Sequence, residues 1–108
     1  MSFITISTSY PDSIESMELI KKLTDELLTL KIAGCIHRTK IHSSYIWENQ
    51  IVHEDEISLT ISTKKKFYQE VKELILKNHS YEIPQIIYKK IDGGFNEYFQ
   101  WLSLSIKK

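Results

Sequence analysis

The chain has 108 residues, 42% of them hydrophobic and 26% charged, with fourteen basic and fourteen acidic side chains and a formal net charge of zero. That length suits one domain, 1–108, able to bury a core without disulfides and too short for two. The composition excludes a disordered or membrane-spanning chain, and the charge balance argues against nucleic acid, whose binders carry a Lys/Arg excess to neutralise phosphates.

The first strand is expected from Phe3 to Ser9, where β-branched Ile and Thr alternate with small polar residues until Tyr10-Pro11-Asp12 breaks the run. The Met1-Ser2-Phe3-Ile4 start has no basic flank and turns strand-like at once, unlike a leader peptide. A helix follows, with Asp12 as its cap and Glu15 closing a capping box. Ile14, Met17, Ile20, Leu23, Leu27 and Leu30 then make one apolar stripe to about Lys31.

Two β-prone runs, Ile32 to Trp47 and Gln50 to Thr63, flank Glu48-Asn49 and read as one long hairpin. Ile57, Leu59 and Ile61 alternate with Ser58, Thr60 and Ser62, giving a dry and a polar face. The tip breaks this rule. Tyr45, Ile46, Trp47, Ile51 and Val52 are apolar on both faces, and a second subunit is the expected cover.

A second helix is expected from Thr63 to Asn78-His79, striped by Phe67, Val71, Leu74 and Ile75. Pro84 then opens a strand over 85–91, Asp92-Gly93-Gly94 turns, and Tyr98, Trp101 and Leu102 stripe a C-terminal helix. The order β-α-β-β-α-β-α predicts an α+β, ferredoxin-like sandwich: a four-stranded antiparallel sheet with helices on one face and an extra C-terminal helix.

Several tenants of such a fold lack their residues here. RNA-binding sheets need exposed aromatics where this chain has Ser58, Thr60 and Ser62. A phosphate-gripping Arg is missing after the first strand, and a soft-metal chaperone needs paired cysteines where only Cys35 exists. No nucleophile and base, phosphate cradle or zinc spacing is present, so the chain is read as non-enzymatic, and Glu54-Asp55-Glu56 as a solvated rim.

Other residues carry two readings each. Cys35, unable to form an internal disulfide and thus suited to the reducing cytoplasm, is a small buried hydrophobe or, with His37 two residues on, half of a soft-metal pair about 7 Å apart. If Glu48-Asn49 is the turn, His42 faces Asp55 and Ser44 faces His53. His42, His53 and Asp55 then share a face, either as a site for zinc or copper(II) or as a solvated patch. Trp47 is read as an interface residue. Tyr81 and Glu82 line a cleft between subunits, or else Tyr81 packs over the loop and Glu82 caps free amides.

Five segments in order, Ala33-Gly34-Cys35, Ser44-Tyr45-Ile46-Trp47-Glu48, Glu56, His79-Ser80-Tyr81-Glu82-Ile83-Pro84 and Tyr98-Phe99-Gln100-Trp101-Leu102, resemble the successive signatures of the CutA family over almost the whole chain. The resemblance implies a ferredoxin-like homotrimer, similar in assembly to PII signal proteins, with hairpins paired across subunits and a link to divalent-cation tolerance and copper binding. It also implies an intersubunit cleft lined by Trp47, Glu56, Tyr81 and Glu82. Where metal-binding members carry a cysteine and a His-His pair, this chain has Thr8, Asn78 and His79, so one ligand of the set remains. Asn49, Ser62, Ser80 and Gln85 also depart from the family pattern. The expectation is a metal- or ligand-binding trimeric scaffold with weak binding of copper or another divalent cation. The alternative is a structural or protein-partner module whose metal site has decayed.

Overall fold

The computed structural model describes residues 2–108. It contains β1 (Phe3–Pro11), α1 (Ile14–Thr29), β2 (Cys35–Trp47), β3 (Gln50–Lys64), a single 3-10 turn (Lys65–Phe67), α2 (Tyr68–Lys77), β4 (Ile87–Lys90) and α3 (Asn96–Ser105). The strands form one antiparallel sheet in the order β2-β3-β1-β4, the ferredoxin-like arrangement.

Alternation decides which face is dry. Ile4, Ile6, Thr8 and Tyr10 of β1 and Ile57, Leu59 and Ile61 of β3 are buried, together with Ile20, Leu23 and Leu27 of α1 and Val71 and Ile75 of α2. Truncating any one of these aliphatic side chains to Ala is worth about 2–5 kcal/mol. The outer members of the α1 stripe fall outside this core: Ile14 is 83% exposed, and Met17 and Leu30 are exposed as well.

Local details differ from the sequence expectation for identifiable reasons. β1 continues through Pro11 because β4 pairs only with Ile4 to Ser7, so on that side no partner waits for the missing proline N–H. The cap of α1 is Ser13, whose Oγ accepts the Ser16 N–H at 3.1 Å, while the Asp12 N–H is spent on the Asp55 carbonyl. The helix stops at Thr29, and Lys31 takes a left-handed φ of 56°. β2 starts only at Cys35, and Gly34 just before it sits in a tight corner where a Cβ would come within 2.4 Å of Leu102 Cδ1. Thr63 and Lys64 stay in β3, so α2 begins later than its apolar spacing suggests.

α3 does not join the other helices. Phe99 stacks on Phe3 with ring centroids 5.2 Å apart, and Phe3 lies on the sheet face turned away from α1 and α2.

The hairpin turns at Glu48-Asn49, both with positive φ (49° and 62°), which matches the right-handed twist of the flanking strands. Pairing then runs without a bulge from Trp47 opposite Gln50 to Cys35 opposite Ser62. Its outer part projects as an arm, with Ile46 and Ile51 each 74% exposed. The molecule measures 45 × 26 × 22 Å, and its radius of gyration of 14.6 Å exceeds the roughly 13 Å of a compact chain of about this length.

Candidate functional site

At the base of the arm, the segment between α2 and β4 folds over the face opposite α1 and α2. Register puts Ser43, Tyr45 and Trp47 of β2 on that face with Glu54 and Glu56 of β3. The loop supplies Tyr81 and Glu82, and together they enclose a cleft of about 560 Å³ lined by Tyr45, Trp47, Glu56, Tyr81, Glu82 and Ile83 among others.

The loop is pinned from beneath. The Tyr10 hydroxyl donates to the Asn78 carbonyl at 2.6 Å, and the Asn78 side-chain amide donates to the Leu74 carbonyl at 3.0 Å. His79 stacks on Tyr10 with centroids 3.9 Å apart. The Tyr81 N–H can only donate, so His79 Nδ1 accepts from it at 3.1 Å. Nε2 therefore carries the proton and donates to the Ser9 carbonyl at 2.8 Å. Burial holds His79 below the ordinary imidazole range, opposed by the Ser9 carbonyl and the Glu56 charge.

So held, Tyr81 reaches between two carboxylates. Its hydroxyl lies 2.5 Å from Glu54 Oε1 and 2.6 Å from Glu56 Oε2, and the Tyr45 hydroxyl donates to Glu54 Oε1 at 2.6 Å. Desolvation, then the bonds to Glu54 and Glu56, push the Tyr81 phenol far above its usual value, and the Glu54 bond raises Tyr45 as well. Both phenols therefore stay protonated and act as donors at neutral pH. Glu56 is only 5% exposed, which corrects the reading of Glu54-Asp55-Glu56 as a solvated rim: the 79–85 loop covers its last member.

The structure sorts the expected site residues into separate places. Trp47, Glu56, Tyr81 and Glu82 line the one cleft. Cys35 lies outside it, at the far end of β2, where its Sγ is 3.4 Å from His37 Nε2; it is partly exposed, not a fully buried hydrophobe. On the arm, His42 Nδ1 meets Asp55 Oδ1 and Ser44 Oγ meets His53 Nδ1 at 2.8 Å, so each imidazole is engaged across the strands. Among the described residues, no three His, Cys, Asp or Glu side chains gather to hold a metal ion.

Nor do the positions at which the resemblance implies copper ligands fit that ion. Both nitrogens of His79 are taken, the Asn78 amide is bonded, and Thr8 offers a hydroxyl where a soft thiolate is needed. Thr8 Oγ1 is buried with no hydrogen-bond partner among the described residues. Sequence reasoning overlooked Glu54 and Tyr45 as members of the carboxylate-phenol network. The hairpin register, which seats Ser43 opposite Glu54 and Tyr45 next along the same face, was the available signal.

These features define a ferredoxin-like domain with a projecting hairpin and an acidic, aromatic cleft at its base. The family model described as "CutA1 divalent ion tolerance protein" matches residues 6–105. A chloroplastic CutA protein of Arabidopsis thaliana is 30% identical over 96 residues, covering 88% of this chain and 53% of the plant protein; the chain thus spans about half the length of that relative. The divalent-cation tolerance protein CutA of Pyrococcus horikoshii is 29% identical over 105 residues, 97% of this chain and 99% of its own. The crystal structure of CutA1 from Oryza sativa superposes with a TM-score of 0.88 at 28% identity, over 100% of this chain and 96% of that one. The chain belongs to the CutA1 divalent ion tolerance family. That family is named for tolerance to divalent ions and for no reaction, and among the described residues no helix is long and apolar enough to cross a membrane.

Proposed function

We propose that the chain, a single domain over 1–108, works as a non-enzymatic homotrimeric scaffold in divalent-cation tolerance, in the cytoplasm, and that its working site is the cleft of Trp47, Glu56, Tyr81 and Glu82. The observation that carries this is the Tyr81 phenol fixed between Glu54 and Glu56 at the base of an arm whose apolar tip the monomer leaves uncovered. A buried carboxylate and two neutral phenols make a receptor for a ligand. They lack the paired nucleophile and base that hydrolysis or group transfer demands. The arm's exposed Ile46, Trp47 and Ile51 make a surface that a second copy covers at little cost, and a three-fold arrangement would wall the cleft from its open side.

Copper or another divalent ion is a weak ligand in this reading. With both His79 nitrogens engaged, any residual binding falls to the His42, His53 and Asp55 patch, with Cys35 and His37 as a softer alternative. The second reading, a structural or protein-partner module with a decayed metal site, draws on the engagement of both His79 nitrogens and the Thr8 substitution. Native mass spectrometry of protein purified without chelator separates the two. The leading reading expects a trimer retaining a small molecule or ion, and an empty monomer refutes it.

A further inference from the structure

The cleft has a chemical bias beyond its size. Its walls are aromatic: Tyr45 and Trp47 stand two residues apart on one face of β2, and Tyr81 closes the other side. Its floor is anionic and short of counter-charge. Glu56 is 95% buried, yet none of the ion pairs among the described residues includes Glu54 or Glu56. The two carboxylates touch the same phenol oxygen and so lie within about 5 Å of one another. A phenol has one proton, so Tyr81 satisfies one carboxylate at a time, and Tyr45 serves only Glu54. Glu56 Oε2 takes the Tyr81 hydroxyl, and its other oxygen has no protein donor among the described residues without being a buried orphan, so it stays open to a cation in the cleft.

Resting on the reading of this cleft as the working site, we propose that it binds a small organic ammonium ion, with the nitrogen against Glu56 and the carbon surface against Tyr45 and Tyr81, in the cleft whose outer end Trp47 lines. Aromatic faces attract a cation through their quadrupoles, most strongly when it sheds water readily. An alkylammonium does so along its carbon surface and brings N–H donors to the carboxylate. Magnesium keeps a six-oxygen shell and leaves water reluctantly, while zinc and copper(II) are held by about four converging ligands, and no three-ligand group of acidic, His or Cys side chains exists among the described residues. The cleft of about 560 Å³ lies within the roughly 300–1,000 Å³ of small-molecule sites.

The test titrates the full chain with n-butylammonium and with n-butanol, its neutral near-isostere, following calorimetric heat and the fluorescence that Trp47→Phe removes. The expected result is saturable binding of the ammonium, at least tenfold weaker binding of the alcohol, and a tenfold or greater loss in Glu56→Gln. Equal binding of the two probes overturns the inference on the unaltered protein, whether or not the variant folds. A Trp47 response to magnesium or copper(II) with none to butylammonium overturns it too, while leaving the cleft as the working site. Silence of Trp47 toward every probe, with nothing retained in native mass spectrometry, defeats both proposals.

Discussion

Replacing Tyr81 with Phe removes one hydroxyl and leaves the ring, so its consequence can be worked from the contacts. Among the described residues the hydroxyl is the sole hydrogen-bond partner of Glu56, a carboxylate that is 5% exposed, whereas Glu54 keeps the Tyr45 hydroxyl. A hydrogen bond to a charged group contributes about 1.5–3 kcal/mol, and the loss is largest when the abandoned acceptor stays buried. The expected destabilisation is thus about 2 kcal/mol, or roughly 10 °C in melting temperature for a domain of this size. Urea and thermal unfolding at pH 7, at one fixed protein concentration because assembly shifts the midpoint, measure it. Glu56→Gln in the same background completes a double-mutant cycle. The cycle should return a coupling of about 1 kcal/mol or more, since the two groups are in direct contact. A Tyr81→Phe protein within 0.5 kcal/mol of the parent and uncoupled to Glu56 would refute the idea that this phenol holds the cleft together.

Three other expectations follow from single observations. Thr8→Val replaces a buried hydroxyl that has no partner by a methyl group, and should raise stability by about 1 kcal/mol in the same unfolding assay; a loss would mean that Thr8 Oγ1 is satisfied in solution. The buried, neutral His79 binds its proton less readily than in the unfolded chain, so its contribution is intact above the usual imidazole range. As pH falls below about 6.5 the unfolded state takes up the proton first and stability drops, a slope that His79→Ala should diminish in unfolding curves from pH 8 to 5. Trp47→Asp should weaken assembly, because a charge forced into a desolvated contact is worth several kcal/mol; light scattering that finds the same mass and midpoint for variant and parent removes Trp47 from the interface.

The hairpin was legible because its rules are local. A two-residue turn at Glu48-Asn49 sets the register, and a period of two then dictates that His42 meets Asp55, Ser44 meets His53 and Ile57, Leu59 and Ile61 share the dry face. Strand and helix order, and with it the ferredoxin-like class, followed from the same periodicities. Trp47, Glu56, Tyr81 and Glu82 were reached through the family resemblance, and nothing in their spacing would have joined them. Local signals also competed: Asp12 and Ser13 are both fit to cap α1, and the backbone pairing of Asp12 with Asp55 decides for Ser13.

The cleft belongs to the tertiary structure. Tyr10 and Asn78 are 68 positions apart, His79 and Ser9 70, and Tyr81 and Glu56 25. Those bonds form only once α2 has packed on the sheet and aimed the next segment at the far face. Whether Glu56 is rim or floor depends on that loop, and whether His79 has a nitrogen to spare depends on Ser9 and the Tyr81 amide. Sequence by itself determines periodicity, turn chemistry and register, because neighbours in the chain enforce them. The burial of a charge, the tautomer of an imidazole and the sharing of a phenol proton are decided by groups that meet only in the folded chain.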